Sequence, residues 1–440
     1  MRGSRSTWRP VLAAAAAVPV IVALAAAPVA AADGAQINSG DTAWLLVATA
    51  LVMVMLPGLA LFYGGLVRRK NVLSTIMHSF FGLAIVSVVW VLWGYSLAFG
   101  PDAGNGLIGR LDFLGFNNVG LTPDPRYSAT IPHVLFASFQ LMFAAITPAL
   151  ITGAFAERKR FASFVIFTIL WSTFVYSPLA HWVWAPGGWL RTMGALDFAG
   201  GTVVHVSSGV SAFVVAMLIG RRTVNGDRME PHDVPMTVLG AGLLWFGWFG
   251  FNAGSALGAT GQAANALLVT NTAAGAATLT WCLASYLHKG KVSVVGAAAG
   301  AVAGLVAITP ASGFVTAGGA VVIGLLVGMI CYSATLLRER LRIDDALDVF
   351  AVHGIGGMFG ATATGVLAVA AIGGVSGAIE GNLAQVATQL VAVGATIAYA
   401  AISTFVIVKV VDIVLGLRVP QAQEELGLDL AVHGEAAYTG

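Results

Sequence analysis

The sequence predicts an all-α integral membrane protein with eleven transmembrane helices. Of its 440 residues, 58% are hydrophobic and only 10% are charged, whereas an average soluble protein is about 25% charged. Apolar segments of about 20 residues, long enough to cross a bilayer, recur along the chain. Because backbone exposed to lipid must satisfy its own hydrogen bonds, each segment is expected to be a helix. The low charge content also excludes a disordered chain and argues against nucleic-acid binding.

The first 32 residues have the pattern of a secretory signal peptide. Arg2, Arg5 and Arg9 form a basic start, an Ala/Val-rich run covers residues 11–28, and small residues precede Asp33. Cleavage would leave the mature N-terminus outside the cell; a retained first helix is the alternative. The domain prediction is 1–32 for the signal peptide, 33–417 for the transmembrane domain and 418–440 for a cytoplasmic tail.

Eleven apolar segments follow, and the last of them is long. They are predicted at 43–67, 72–99, 132–155, 161–184, 200–220, 235–255, 263–287, 293–309, 313–337, 349–372 and 386–416. A β-barrel is excluded because its strands would be about 10 residues long with alternating polarity.

The basic residues of the loops predict the orientation. They cluster after every odd-numbered helix, as in Arg68-Arg69-Lys70 and in the run 158–160, whereas the loops after even-numbered helices hold only Arg110, Arg126 and Arg191. Basic residues stay on the cytoplasmic side of a membrane protein. The N-terminus is therefore predicted outside and the C-terminus inside. Close helix packing is predicted where glycine recurs every fourth residue, at Gly296, Gly300 and Gly304 and at Gly324 and Gly328.

Two histidines lie inside predicted spans, where ionisable residues are costly and usually functional. His205 is in helix 5 and follows Asp197 by eight residues; His353 is in helix 10 and follows Asp345 by eight. Helices 5 and 10 are five apart, so the second half of the chain enters the membrane from the opposite side. This predicts a 5+5 inverted repeat plus helix 11, with a site near the midplane. We expect each aspartate to cap a helix start and the two imidazoles to face one another in a pore.

Two histidines are too few for a zinc-type site, so no metal and no cofactor are expected. A neutral imidazole offers one hydrogen-bond donor and one acceptor, which suits a small neutral molecule better than an alkali cation. Aromatic residues supply a second pattern: Phe139 and Phe143 share one face of helix 3, and Trp248 and Phe251 lie together in helix 6. Most membrane aromatics are interface anchors, but a group of them can bind a cation through its π-faces.

At these residues the chain resembles the Amt/Mep/Rh superfamily of ammonium transporters. Four segments in order carry the resemblance: Leu61-Phe-Tyr-Gly-Gly-Leu-Val-Arg68, Asp197-Phe-Ala-Gly-Gly-Thr-Val-Val-His205, Gly247-Trp-Phe-Gly-Phe-Asn-Ala-Gly-Ser255 and Asp348-Val-Phe-Ala-Val-His353. The tail, from Gly416-Leu-Arg-Val-Pro420 onwards, is similar to that of the bacterial Amt branch.

The resemblance implies a role for each of these residues. His205 and His353 match a pair of pore histidines, and Phe143 and Phe251 match a phenyl gate above them. Further matches are an outer ammonium recruitment site (Trp184, Ser255, Phe139 and the Phe198 carbonyl), an essential acidic residue (Asp197) and a pore-wall residue (Trp248). Trp184 is assigned to the recruitment site because of its His-x-Val-Trp context, and Trp189 is the alternative.

The resemblance further implies a homotrimer in the bacterial inner (plasma) membrane, with a PII-type signalling protein as cytoplasmic partner. The predicted function is uptake: ammonium is captured outside, gives up its proton near the gate, and ammonia passes the histidines. The alternatives are an ammonium sensor that acts through its tail and a channel for another gas, such as carbon dioxide. An enzyme is not expected, since no nucleophile–base pair or metal triad appears within the spans.

Overall fold

The computed structural model describes residues 35–223 and 229–438, so the predicted signal peptide lies outside the described residues. Eleven apolar helices form the bundle: α1 (Ser39–Leu66), α2 (Arg69–Phe99), α3 (His133–Phe155), α4 (161–184), α5 (Gly201–Ile219), α6 (Val234–Gly254), α7 (Gly261–Lys289), α8 (Val294–Ile308), α9 (Ala317–Arg340), α10 (Phe350–Leu367) and α11 (Ala384–Leu415). Ten of the spans are long and apolar enough to cross a membrane, and α8 is a shorter apolar helix of 15 residues. The described part of the chain contains no β-strand, only isolated bridges. The all-α fold with eleven helices is confirmed.

Several helix ends differ from the prediction by three to five residues, among them the start of α1 at Ser39 rather than residue 43. Helix α9 begins at Ala317 rather than near residue 313, because Thr316 is its N-cap and its side chain accepts a hydrogen bond from the Gly319 amide. Helix α10 ends at Leu367 rather than near residue 372. The backbone is extended at Ala368, and residues 370–373 form a separate turn of helix.

The loops after the odd-numbered helices meet at one face of the bundle, here called the tail face because the C-terminal segment covers it. Arg222 binds Glu157 at 3.2 Å and Asp344 at 2.7 Å, so it joins the loops after α3, α5 and α9. Although burial raises the pKa of Asp344, the hydrogen bonds and charge of Arg222 lower it to about 2. The tail joins this network through Arg418, whose guanidinium binds Glu424 at 2.7 Å. The basic loop residues predicted to share one side therefore do share a face.

Glycine allows three helices to pack at backbone distance. A Cβ at Gly304 of α8 or at Gly324 of α9 would lie 2.5 Å from the carbonyl oxygen of Ala273, in α7 between them. Small residues permit this approach in membrane helices, where van der Waals contact drives association. The predicted contact role of the glycine repeats is thus seen in the structure.

Helices α5 and α10 cross in opposite directions at the centre of the bundle. Gly357 lies against Gly201 at the start of α5, whereas Phe350 at the start of α10 packs on Phe213, with ring centroids 4.8 Å apart and the planes tilted by 42°. Both helices begin with a π-helical stretch, Gly201–Val206 and Phe350–Gly354, and each stretch holds one of the two histidines. The antiparallel crossing is the arrangement that an inverted repeat requires.

Candidate functional site

Three cavities follow one another through the bundle, from the loops after α4 to the tail face. An outer cavity of about 270 Å³ opens at the face opposite the tail, here called the vestibule face, and Phe143 belongs to its wall. A central cavity of only about 10 Å³ is lined by Phe251, His205 and His353. An inner cavity of about 610 Å³ opens at the tail face, and His353 lines it as well. Shared wall residues and the contact between Phe143 and Phe251 connect the three into one passage.

The outer cavity gathers most of the residues matched to a recruitment site. Three of the four matched residues, Trp184, Ser255 and Phe198, line it, and Asp197 lines it as well. The Trp184 indole N–H donates to the backbone carbonyl of Asp197 at 3.0 Å, which fixes the ring plane. The Ser255 hydroxyl donates to the Phe251 carbonyl at 2.8 Å, so the lone pairs of its oxygen are left for another donor. The fourth matched residue, Phe139, is fully buried and meets Phe143 edge to face at 4.9 Å.

Asp197 caps the start of α5, as the sequence predicts. Its Oδ1 accepts hydrogen bonds from the amides of Gly200 (2.8 Å) and Gly201 (2.6 Å). Its Oδ2 accepts from the Thr202 amide at 2.7 Å, the Thr202 hydroxyl and the Val203 amide at 3.3 Å. The carboxylate thereby satisfies amides that the helix cannot, and its charge complements the helix dipole. Gly200 has φ +116°, a conformation that favours glycine and lets the chain turn around the carboxylate.

Asp345 has the equivalent position before α10 with fewer partners. Its Oδ2 accepts from the Phe350 amide at 2.7 Å, while its buried Oδ1 has no hydrogen-bond partner among the described residues. Each aspartate therefore caps a helix that carries one of the two histidines, and Asp197 accepts more hydrogen bonds than Asp345.

Two phenyl rings close the passage below the outer cavity. The Phe143 and Phe251 centroids are 4.3 Å apart, with the planes tilted by 36°. Trp184 meets Phe143 edge to face at 5.8 Å on the outer side. On the inner side, the His205 ring stacks on Phe251 at 6.1 Å. The rings of Trp184, the phenyl pair and the two histidines thus form one continuous aromatic series.

The two imidazoles meet directly in the central cavity. Nδ1 of His205 and Nδ1 of His353 are 3.2 Å apart, so one must donate a proton to the other's lone pair when both are neutral. Nε2 of His205 is buried and has no hydrogen-bond partner among the described residues. Trp248 stacks on His205 at 5.4 Å and donates its indole N–H to the Thr309 hydroxyl at 2.8 Å, which holds one wall of the cavity in place.

Some residues around the passage were not singled out by sequence reasoning. Gln140 and Arg191 line the outer cavity, and Oε1 of Gln140 is buried without a partner among the described residues. Arg191 was visible as one of three basic residues in the outer loops, but nothing in the sequence placed it in the cavity. Trp189, the alternative to Trp184, packs instead against Trp182 at 5.5 Å. Within the described residues, no group of three or more His, Cys, Asp or Glu side chains is placed to hold a metal ion.

Comparison with known proteins gives the family. A model of the family described as "Ammonium Transporter Family" matches residues 43–438. The chain belongs to the ammonium transporter family. It is 51% identical to an ammonium transporter of Bacillus subtilis, over 91% of this chain and 99% of that protein. It is 48% identical to ammonium transporter Amt1 of Archaeoglobus fulgidus, over 92% of this chain and all of that protein (100%).

Solved structures agree with this membership in the ammonium transporter family. The crystal structure of Mep2 from Saccharomyces cerevisiae matches with a TM-score of 0.82 and 40% identity, over 88% of each chain. A structure titled "Sensor Amt Protein" matches with a TM-score of 0.83 and 30% identity, over 89% of this chain and 98% of that one. The family is one of membrane transporters and channels rather than enzymes.

Proposed function

We propose that the protein is a transmembrane ammonium/ammonia transporter that captures ammonium in the outer cavity and conducts ammonia past His205 and His353. One observation carries the proposal: two imidazoles, 3.2 Å apart at Nδ1, line a narrow apolar passage between two wide cavities. The names of the curated relatives and of the Mep2 structures support ammonium as the substrate.

The outer cavity suits a small cation that still has some hydration. Trp184 and Phe143 offer π-faces, and the Ser255 oxygen can accept a hydrogen bond from ammonium. A cation over a tryptophan face gains roughly 1–2 kcal/mol when it is partly desolvated. Asp197 does not serve as a direct ligand, since both its oxygens accept hydrogen bonds from the start of α5.

The passage below the phenyl pair suits the neutral molecule instead. The central cavity of about 10 Å³ has room for about one water-sized molecule, and ammonia is of that size. A bare cation there would lose its hydration without carboxylate or carbonyl ligands to replace it. Ammonia can donate to one imidazole nitrogen, and the unpartnered Nε2 of His205 is available for this. We therefore propose that ammonium loses its proton near Phe143 and Phe251, where the passage narrows.

The remaining assignments follow from the loop charges and the family. We propose an outside N-terminus after cleavage near Asp33, a cytoplasmic tail, and a homotrimer in the bacterial inner membrane. A reporter fused after Arg418 that appears outside the cell would contradict this orientation, and a monomeric mass in detergent would contradict the trimer. The proposed cytoplasmic partner is a PII-type signalling protein, which pull-down at each nucleotide state tests. The sensor and the channel for another gas are not favoured by any observation on this chain.

The decisive experiment is to measure ammonium uptake and charge movement together in proteoliposomes. Uptake that saturates and needs the intact protein supports the proposal. Absence of ammonium-dependent uptake in correctly folded, reconstituted protein would refute it. The ratio of charge to ammonium then tells whether the proton crosses with the ammonia.

Trp184→Leu is expected to weaken capture and leave the passage intact. Loss of a cation–π contact of roughly 1–2 kcal/mol should raise the half-saturation concentration about 5- to 30-fold, with a similar maximal rate. The measurement is the concentration dependence of uptake in proteoliposomes. Trp189→Leu is the matched control, because Trp189 packs against Trp182 and should leave both values unchanged. An unchanged half-saturation concentration in Trp184→Leu would remove Trp184 from the capture site.

A further inference from the structure

Arg191 brings a positive charge into the wall of the cavity that is proposed to collect a cation. It belongs to the short helix Trp189–Thr192 and lines the outer cavity together with Trp184 and Ser255. Its side chain is exposed, and its Nη1 donates a hydrogen bond to the backbone carbonyl of Trp184. The guanidinium is therefore held beside the tryptophan that is proposed to bind ammonium.

No carboxylate among the described residues forms an ion pair with Arg191. The other two arginines at the outer face each pair with an aspartate two positions away, Arg110 with Asp112 and Arg126 with Asp124. None of the described carboxylates lies within 4.0 Å of Arg191. The cavity's other charged wall residue, Asp197, is buried and its oxygens are occupied by the amides and the hydroxyl at the start of α5. The Asp197 carboxylate is thus directed at the start of α5, whereas the guanidinium of Arg191 lies beside Trp184 without an ion-pair partner among the described residues.

We propose that Arg191 is an affinity-setting residue, whose fixed positive charge weakens ammonium binding in the outer cavity and discriminates against cations of higher charge. The inference rests on the proposed function of the cavity. Like charges repel across a water-rich space, and the repulsion between unit charges about 8 Å apart amounts to a few-fold in binding. For a divalent cation the repulsion doubles, so the same residue disfavours it more strongly.

Two readings of Arg191 make different predictions. If its charge matters, Arg191→Gln should lower the half-saturation concentration for ammonium about two- to fivefold, and Arg191→Lys should not. If instead only the hydrogen bond to the Trp184 carbonyl matters, lysine can still donate it, and the effect of Arg191→Gln should not depend on the salt concentration. Arg110→Gln is the matched control: it removes the same charge from an exposed pair at the same face, outside the cavity wall, and should change nothing.

The salt dependence of uptake distinguishes an effect of the Arg191 charge from an effect of its hydrogen bond. Raising sodium chloride from ~10 mM to ~150 mM shortens the Debye length from ~30 Å to ~8 Å. In vesicles of neutral phosphatidylcholine, the half-saturation concentration of the wild-type protein should then fall, because the repulsion is screened. The Arg191→Gln protein should show little of this fall.

The test measures ammonium uptake in proteoliposomes for wild type, Arg191→Gln, Arg191→Lys and Arg110→Gln, at both salt concentrations. A lowered, salt-insensitive half-saturation concentration in Arg191→Gln alone supports the proposal. Equal values in Arg191→Gln and wild type, or equal changes in Arg191→Gln and Arg191→Lys, would overturn it while leaving ammonium transport in place. Wild-type protein without ammonium uptake would overturn the proposed function, and this inference with it.

Discussion

Replacing His205 or His353 by leucine is expected to lower ammonium uptake about 5- to 150-fold, because a hydrogen-bonding molecule that passes an apolar wall without a partner loses about 1–3 kcal/mol. Leucine has similar bulk and no polar atom, so the passage would keep its width and lose its partners. Each single substitution also leaves the other Nδ1 without its contact at 3.2 Å. The double leucine variant removes both groups, so it should be as inactive as the single variants but at least as stable.

The matched control is a buried histidine outside the passage. Both ring nitrogens of His78 are buried without a hydrogen-bond partner among the described residues, and its ring packs on Phe164 at 4.6 Å. His78→Leu should therefore keep wild-type uptake. Full uptake in both His205→Leu and His353→Leu would exclude the pore role, as would a loss of uptake that parallels loss of folded protein in thermal unfolding.

An acidic residue at the same position separates two mechanisms. His205→Asp introduces a group that can carry a negative charge in the central cavity. A carboxylate stabilises a cation there, so ammonium or potassium should pass as an ion, and transport current should appear with potassium alone. If a folded His205→Asp protein still excludes potassium, the absence of charge in the passage is not what excludes cations.

Asp197→Asn is expected to reduce transport strongly by disordering the start of α5. The amide keeps the shape of the carboxylate but turns an NH₂ group toward backbone N–H donors that now lack an acceptor. Loss of one charge-assisted hydrogen bond costs about 1.5–3 kcal/mol, so uptake should fall roughly 10- to 150-fold, and more if several bonds fail together. The Asp197 carbonyl also holds the Trp184 indole at 3.0 Å, so capture should suffer as well.

Asp345→Asn provides the matched comparison for this prediction. Asp345 caps α10 through one amide, that of Phe350, and one of its oxygens has no hydrogen-bond partner among the described residues. Asparagine can supply that single acceptor, so a smaller loss is expected. The measurements are uptake and the midpoint of thermal unfolding for both variants. Wild-type uptake in Asp197→Asn, or a larger effect of Asp345→Asn, would contradict the assigned role of Asp197.

The sequence by itself determined the class of protein, the number of helices and the family. The physical reason is that these depend on local composition: an apolar run of sufficient length in lipid has no alternative to a helix, whatever its neighbours are. Helix ends were less well determined where a single side chain decides them, as Thr316 does for α9. The capping role of Asp197 was also predictable, because it involves residues within six positions of one another along the chain.

Only the tertiary structure decided which distant residues form the passage. His205 and His353 are 148 residues apart in sequence, and their contact depends on how α5 and α10 cross at glycine. The turn after α4 places the Trp184 ring in the wall of the outer cavity and the Trp189 ring against Trp182. Arg191 lines that cavity because the short helix after the turn folds back toward Trp184. Such contacts join separate elements, and their energies are set by packing geometry rather than by the local residue pattern.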